Sequence, residues 1–119
     1  MTGSVKKGSE PATDRAALWA RDETTGAATL ADIRAAIDRI DGEIVALLAE
    51  RVRYTRDAAR FKASGGEVAA PARAEAVVKR AAALGAARGV PPEIVEPVYR
   101  ALVAASIEDQ RKVFERIAR

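Results

Sequence analysis

The sequence has 119 residues, enough for one small domain, with 20 Lys and Arg, 17 Asp and Glu, and neither His nor Cys. This composition excludes a Cys/His zinc site, a thiolate nucleophile, a disulfide framework and an imidazole acid or base, so any catalysis has to use Arg, Lys, carboxylates, amides or hydroxyls. Ala supplies 28 residues and aromatic side chains only 4%. A lone chain therefore has few large side chains for a core, which indicates burial against a partner subunit.

The charges do not form a nucleic-acid-binding surface. The net charge is +3, but acids and bases are interspersed and no basic run exceeds two residues, which is typical of a solvated surface. No stretch approaches the ~20 apolar residues of a membrane span, and the N-terminus has no apolar signal segment. We expect a cytoplasmic protein that binds neither nucleic acid nor membrane.

Residues 1–28 are predicted to be a flexible leader, and residues 29–119 the folded domain. The leader is rich in Gly, Ser, Thr and Ala and balances basic against acidic residues. The alternative for its central part is a short helical turn from Ala16 to Arg21, with Leu18 and Trp19 docked on the domain. Neither interpretation gives the leader any chemistry.

The first helix is predicted from Leu30 to Lys62. Thr29 followed by Asp32 is typical of a capped helix N-terminus. Apolar residues then recur every three or four positions, as in a coiled-coil seam. These residues are Leu30, Ile33, Ile37, Ile40, Ile44 and Leu47. Such a helix would be roughly 50 Å long at 1.5 Å per residue, too long for a small domain to bury by itself.

Two further helices are predicted. The segment from Ser64 to Ala70 interrupts the pattern and is compatible with either a lid or a plain connector. Pro71 suits the first turn of a short helix that ends at Gly85 or Gly89. Pro91-Pro92 then opens a third helix that continues to the C-terminus. The sequence thus predicts an all-α fold of three helices, long, short and long.

Arg51 lies where the seam of the first helix requires an apolar residue. Steps of three and four lead from Leu47 to position 51 and on to Tyr54. A buried, unpaired guanidinium costs several kcal/mol, so Arg51 either meets an anion or leaves the seam. The alternative to a ligand is a salt bridge to a nearby carboxylate, or a place at the edge of the seam.

Two more cations on the first helix are candidates. Lys62 is 11 residues beyond Arg51, which in a continuous α-helix brings it within ~20° of the same face, about 16 Å further along the axis. Arg34 precedes Arg51 by 17 residues, which is roughly 25 Å along the axis and about 100° around it. One small ligand does not readily reach both arginines of one chain, so a functional Arg34 would serve a site in a second subunit.

The third helix carries a polar pair in its apolar row. Ser106 and Gln110 are four residues apart and share one face. The alternative is a helix rim exposed to water. Arg73, just after Pro71, is either a surface residue or a cation that leans over the end of the first helix. A set of cations with one neutral amide suits a small dicarboxylate. The cations are Arg34, Arg51, Lys62 and Arg73.

Separated motifs resemble the all-helical AroQ family of chorismate mutases. They are Leu30-Ala31-Asp32-Ile33-Arg34, Ile37-Asp38-Arg39-Ile40-Asp41, Leu47-Leu48-Ala49-Glu50-Arg51, Pro71-Ala72-Arg73 and Ser106-Ile107-Glu108-Asp109-Gln110. The match covers residues 29 to about 117. The runs Arg60-Phe61-Lys62-Ala63-Ser64 and Ala70-Pro71-Ala72-Arg73 are similar to the isochorismate pyruvate lyase branch of the family, whereas the segment from Ser106 to Gln110 is more similar to the mutases.

The resemblance implies an intertwined helical homodimer with two equivalent sites, each completed by an N-terminal Arg of the other chain, and no cofactor or metal. The substrate would be a small dicarboxylate, chorismate or isochorismate. Lys62 and Gln110 are implied to be catalytic, because they would flank the ether oxygen. The residues implied to bind the substrate are Arg34 from the partner subunit, Arg51, Arg73 and Ser106.

The activity that the resemblance implies is chorismate mutase, the rearrangement of chorismate to prephenate. Ala70 and Ala74 stand where many mutases have acidic residues, which keeps open the lyase reaction that gives salicylate and pyruvate. An alternative of another class is a non-catalytic helical dimerisation module, whose buried polar groups fix the register of the helices.

Overall fold

A computed structural model of the chain describes residues 25–62, 68 and 70–118. In this part of the chain the order is α1 (Leu30–Ala58), a 3-10 turn (Ala59–Phe61), α2 (Pro71–Ala87) and α3 (Pro92–Ala118). The helices have 29, 17 and 27 residues, so the predicted all-α fold of long, short and long helices is confirmed. Residues 1–24 of the predicted leader and residues 64–67 and 69 of the predicted lid or connector lie outside the described residues.

The chain divides into two compact units, which we describe separately. Of the described residues, 70–104 belong to the first unit, and 25–62, 68 and 105–118 to the second. The first unit buries the apolar side chains of Val78, Ala81 and Val103, and the second buries those of Ala59 and Val68. Among the described residues, these small buried sets match the scarcity of large side chains in the sequence.

α1 begins where the sequence predicts. The Thr29 hydroxyl accepts a hydrogen bond from the Asp32 backbone N–H at 3.0 Å, so the side chain satisfies a donor that the helix leaves unpaired. Thr29 itself is extended, with φ −138° and ψ 162°. Asp32 also places a negative charge in the first turn, at the positive end of the helix dipole.

The end of α1 differs from the prediction, which carried the helix to Lys62. The α-helix stops at Ala58, and the Ala59 N–H points to the carbonyls of Arg56 and Asp57, within a tighter 3-10 turn. Lys62 follows with φ −92° and ψ 139°, which is extended backbone. The prediction that α-helical rotation returns Lys62 to the face of Arg51 is therefore wrong, because the 100° repeat ends four residues earlier.

α2 and its exit turn form within the first unit. The helix starts at Pro71, as predicted, and passes through Gly85 to end at Ala87. The Gly89 N–H donates to the Ala86 carbonyl at 3.1 Å, and the Val90 N–H to the Gly85 carbonyl at 2.8 Å. This pair of bonds is a Schellman motif, and Gly89 supplies the left-handed residue that it needs, with φ 82°.

The apolar row of α1 stays uncovered in the single chain. No residue of α1 is buried, and the six seam residues from Leu30 to Leu47 are between 42% and 65% exposed. Exposed apolar surface of this extent marks an interaction surface in a stable protein. None of the helices in the described residues has both the length and the apolar character that crossing a membrane requires.

Two glycines within helices differ in what a side chain would meet. A Cβ at Gly42 has nothing within 4 Å, whereas a Cβ at Gly85 lies 2.6 Å from Val95 Cγ2 and 3.5 Å from the Val90 carbonyl oxygen. Alanine raises helix propensity at both positions by up to about 1 kcal/mol. We expect Gly42→Ala to stabilise the protein by up to about 1 kcal/mol, and Gly85→Ala to destabilise it, because overpacking typically costs about 1–3 kcal/mol.

Urea unfolding at matched protein concentration measures both variants, and Gly42→Ala serves as the control for propensity. Equal stabilisation by the two substitutions would show that α2 does not approach Val95 closely.

Candidate functional site

In the second unit, α1 and the last part of α3 are joined by a polar ladder. The Arg51 Nη1 donates to the Ser106 Oγ at 3.0 Å, and the Gln110 Nε2 donates to the Thr55 carbonyl oxygen at 2.6 Å. Both contacts span 55 residues, so one helical turn further along α1 meets one turn further along α3. The two helices therefore run parallel here, and the predicted polar pair of α3 faces the polar interruption of the α1 seam.

Arg51 is half-buried, and its described hydrogen-bond partner is a hydroxyl. The salt bridge that the sequence left open as an alternative is not found, since Arg51 has no carboxylate partner among the described residues. Because the Ser106 oxygen accepts from Arg51, the serine proton stays available to another acceptor. A guanidinium and a hydroxyl held together in this way can donate to the same carboxylate.

Gln110 is a buried polar side chain, 9% exposed. The water-exposed rim that the sequence left open is therefore wrong for this residue. A carbonyl oxygen only accepts hydrogen bonds, so the Thr55 contact requires the NH₂ end of the Gln110 amide to face α1. The other N–H of the same NH₂ group has no acceptor among the described residues and can donate to a ligand. The 3-10 turn makes this contact possible. Because the Ala59 N–H points to the carbonyls of Arg56 and Asp57, the Thr55 carbonyl is left open to Gln110.

The sequence did not predict the ion pair that lies beside this ladder. The Arg56 Nε and Nη2 donate to the two Asp109 carboxylate oxygens at 2.8 and 2.9 Å. The hydrogen bond from Arg56 lowers the pKa of the Asp109 carboxyl, and Lys112 and Arg116 lower it further. Opposite charges next to Thr55 and Gln110 were visible in the sequence, but only the parallel register shows that they meet.

The other predicted site residues are not among the hydrogen-bonded residues of the ladder. Lys62 is half-buried, directly after the 3-10 turn. Arg34 is exposed in the second turn of α1, roughly 25 Å before Arg51 at 1.5 Å per residue, so the structure does not bring these two arginines of one chain together. Arg73 is exposed in the first turn of α2 and belongs to the first unit.

A cleft of about 450 Å³ also lies in the second unit. It is lined by Arg53, Tyr54, Arg56, Asp57, Arg60, Val113 and Ile117. Arg56 belongs both to this cleft and to the ion pair with Asp109, so the cleft adjoins the polar ladder on the side of that pair. It contains none of the predicted site residues. Within the described residues, no group of acidic side chains has the arrangement that a metal ion needs.

The helices and the ladder together define a class of protein. It is an all-helical protein with a partly buried row of guanidinium, hydroxyl and amide groups, which suits a small anionic ligand. The family model of chorismate mutase type II matches residues 33–111. A similar protein is an isochorismate pyruvate lyase of Pseudomonas aeruginosa, 40% identical over 83 residues, which are 70% of this chain and 82% of the relative. The chain belongs to the chorismate mutase type II family.

The Arg56–Asp109 pair gives a stability prediction that depends on pH. Because the folded state lowers the pKa of Asp109, the pair stabilises the protein above the ordinary Asp pKa, and this contribution is lost as the pH falls through the lowered value. We expect Asp109→Asn to lower the melting temperature by a small amount at pH 6 to 8, because the pair is partly exposed. The difference from the wild type should shrink below about pH 4.

Melting curves of both proteins from pH 8 to pH 2 measure this difference. Asp57→Asn is the matched control, because Asp57 pairs with Arg60 only three residues away and connects no second helix. A difference for Asp109→Asn that is constant down to pH 2 would contradict the ionic nature of the contact.

Proposed function

We propose that the chain is a chorismate mutase whose substrate lies on the polar ladder between α1 and α3. The observation that carries this proposal is the half-buried Arg51 guanidinium, which has a serine hydroxyl beside it and no carboxylate partner among the described residues. The buried Gln110 amide lies one turn further along the same row. A dicarboxylate with a polar ether oxygen needs these three kinds of donor.

The proposed reaction needs no nucleophile, proton transfer or cofactor, because chorismate rearranges to prephenate in one pericyclic step. The carbon–oxygen bond of the enolpyruvyl ether breaks while a carbon–carbon bond forms on the ring. The protein has to hold the compact diaxial conformer in which these carbons are close. Arg51, Ser106 and Arg73 are proposed to bind the carboxylates in this conformer.

Charge on the ether oxygen is the second requirement. Negative charge develops on this oxygen as its bond to the ring breaks, and preorganised donors stabilise it. Lys62 and the free N–H of Gln110 are the proposed donors. By analogy with oxyanion holes, one such donor is worth about 3 to 4 kcal/mol of activation free energy.

A second copy of the chain is proposed to complete the site. The uncovered row from Leu30 to Leu47 gives α1 an apolar surface for association. Arg34 lies on this part of the helix, exposed and without an ion-pair partner among the described residues. In a homodimer whose long helices pack together, Arg34 of one chain would reach the site built around Arg51 of the other.

Isochorismate pyruvate lyase is the second candidate, favoured by the name of the 40% identical relative. In this reaction the same ether bond breaks while a hydrogen moves from the ring to the enolpyruvyl group, releasing pyruvate and leaving salicylate. Lys62 and Gln110 would then serve the same oxygen. Ala70 and Ala74, in place of the acidic residues of many mutases, also fit this candidate.

Separate assays of chorismate and isochorismate test the two candidates. We expect prephenate from chorismate, and turnover to fall about 100- to 1000-fold in Lys62→Ala, because a donor to the ether oxygen is lost. Salicylate formed much faster than prephenate would assign the chain to the lyase reaction. No turnover of either substrate would favour a dimerisation module, and a melting temperature unchanged by a dicarboxylate transition-state analogue would support that outcome.

Gln110→Glu is expected to make activity dependent on acid. The carboxyl would face the Thr55 carbonyl oxygen, which repels a carboxylate, so only the protonated side chain donates there and to the ether. The variant should be active at low pH and lose kcat/KM as the pH rises through the carboxyl pKa, whereas the wild type stays flat from about pH 5 to 8. A pH-independent variant would exclude Gln110 as the donor to the ether.

Mixing two impaired variants, assayed at a substrate concentration too low for Arg34→Ala to turn over, tests whether Arg34 acts across a dimer. Arg34→Ala should mainly raise KM and Arg51→Ala should abolish binding, each without unfolding the protein. When the two are unfolded and refolded together, half of the dimers would be mixed, and each mixed dimer would hold one intact site, so about a quarter of wild-type activity should return. Arg51→Ala with Gln110→Ala is the control, because their mixed dimer has no intact site. No recovery in the first mixture would contradict the proposed exchange.

A further inference from the structure

We propose that Arg56 and Asp109 are positioning residues that hold the Gln110 amide on its acceptor and so aim its free N–H at the substrate. This inference rests on the proposed function for the reaction that it affects. That the ion pair holds the Gln110 amide in place does not depend on which reaction the protein catalyses. The hydrogen bonds given for Arg56 and Asp109 join the two to each other and none joins either to Arg51 or Ser106, so we infer that both act through Gln110.

The geometry places the ion pair directly beside the amide contact. Arg56 follows Thr55 on α1, and Asp109 precedes Gln110 on α3, so the two contacts are formed by neighbouring residues on both helices. The Arg56 fork donates two bonds to one carboxylate, 2.8 and 2.9 Å long. A bidentate contact restricts both the separation and the relative rotation of its partners. It therefore fixes α1 against α3 at the turn that carries Gln110.

The amide needs this support because one short contact by itself does not fix a long side chain. A glutamine side chain turns about three bonds, and among the described residues a single hydrogen bond, 2.6 Å to the Thr55 carbonyl oxygen, orients it. A slip of one helical turn would move it by 5.4 Å, and displacements of about 1 Å in an active site can cost 100-fold in rate. The Arg51–Ser106 contact lies a full turn away and leaves the rotation at Gln110 less constrained.

The exposure of the ion pair separates positioning from simple stabilisation. The Arg56 and Asp109 side chains are 54% and 32% exposed, and pairs this open to solvent contribute little to the free energy of unfolding. Lys112 and Arg116 also act on Asp109, but both belong to α3, so neither ties Asp109 to α1. Breaking the pair is therefore expected to lower turnover clearly and to change the melting temperature only a little.

A double-mutant cycle with Gln110 tests the route of the effect. Asp109→Asn is expected to lower kcat about tenfold on whichever substrate is turned over, with little change in KM, and to have almost no effect in a Gln110→Ala background. Arg56→Lys keeps the charge but loses the fork, so it should fall between the wild type and Arg56→Ala. All assays are done well below the melting temperatures, so that every variant is folded. Asp57→Asn is the control and should leave kcat unchanged.

A second measurement does not depend on activity. In ¹⁵N-labelled wild type, the two Gln110 side-chain amide protons should be widely separated in shift, and one should exchange slowly with solvent; Gln110→Glu assigns them by their disappearance. Asp109→Asn should move both towards the values of a free glutamine amide and speed their exchange at least about tenfold. Asp57→Asn should not.

The outcomes are distinct. An equal loss of kcat in both backgrounds, or Gln110 amide protons unaffected by Asp109→Asn, would overturn the positioning role. If the wild type turns over neither substrate, the proposed function fails while the amide measurement still decides whether the pair holds Gln110. Loss of amide protection together with a kcat loss that needs Gln110 would support both.

Discussion

The parallel register between α1 and the last part of α3 is the constraint on which the site depends. Arg51 meets Ser106, Thr55 meets Gln110 and Arg56 meets Asp109, all within two turns of each helix. Apolar contacts between helices tolerate small shifts, whereas hydrogen-bonded polar groups have to be paired to be buried at all. These three contacts therefore select one register, and that register brings the donors of two separate helices into one row.

The long first helix leaves its apolar row uncovered in the single chain. A small, alanine-rich domain has too few large side chains to cover a helix of 29 residues. Its apolar row is left open from Leu30 to Leu47, which is also where Arg34 lies. In the proposed dimer, the surface that provides association would also deliver the missing cation. Stability and site completion would then be two results of the same contact.

The chemistry of the row fits the proposed reaction, which geometry and charge drive rather than proton transfer. A chain without His or Cys offers no side chain with an ordinary pKa near neutrality. The arginine, amide and hydroxyl donors that it does offer do not change their protonation state in the physiological pH range. Gln110 is the clearest case, because a buried amide beside a backbone carbonyl keeps its hydrogen-bonding role where a carboxylate would be repelled. Membership of the chorismate mutase type II family agrees with this design.

The sequence by itself determined the helices, because caps and periodicity are local: Thr29 and Pro71 start helices, and Gly89 ends one through its left-handed backbone. It also indicated that Arg51, Ser106 and Gln110 interrupt apolar rows. Only the tertiary structure decided which side chains contact each other. The contacts of Thr55 with Gln110 and of Arg56 with Asp109 depend on the register of residues more than 50 positions apart. The structure also showed that a 3-10 turn at Ala59 ends the α-helix before Lys62. Helical periodicity places a residue on a face, but it contains no information about the partner that the face will meet.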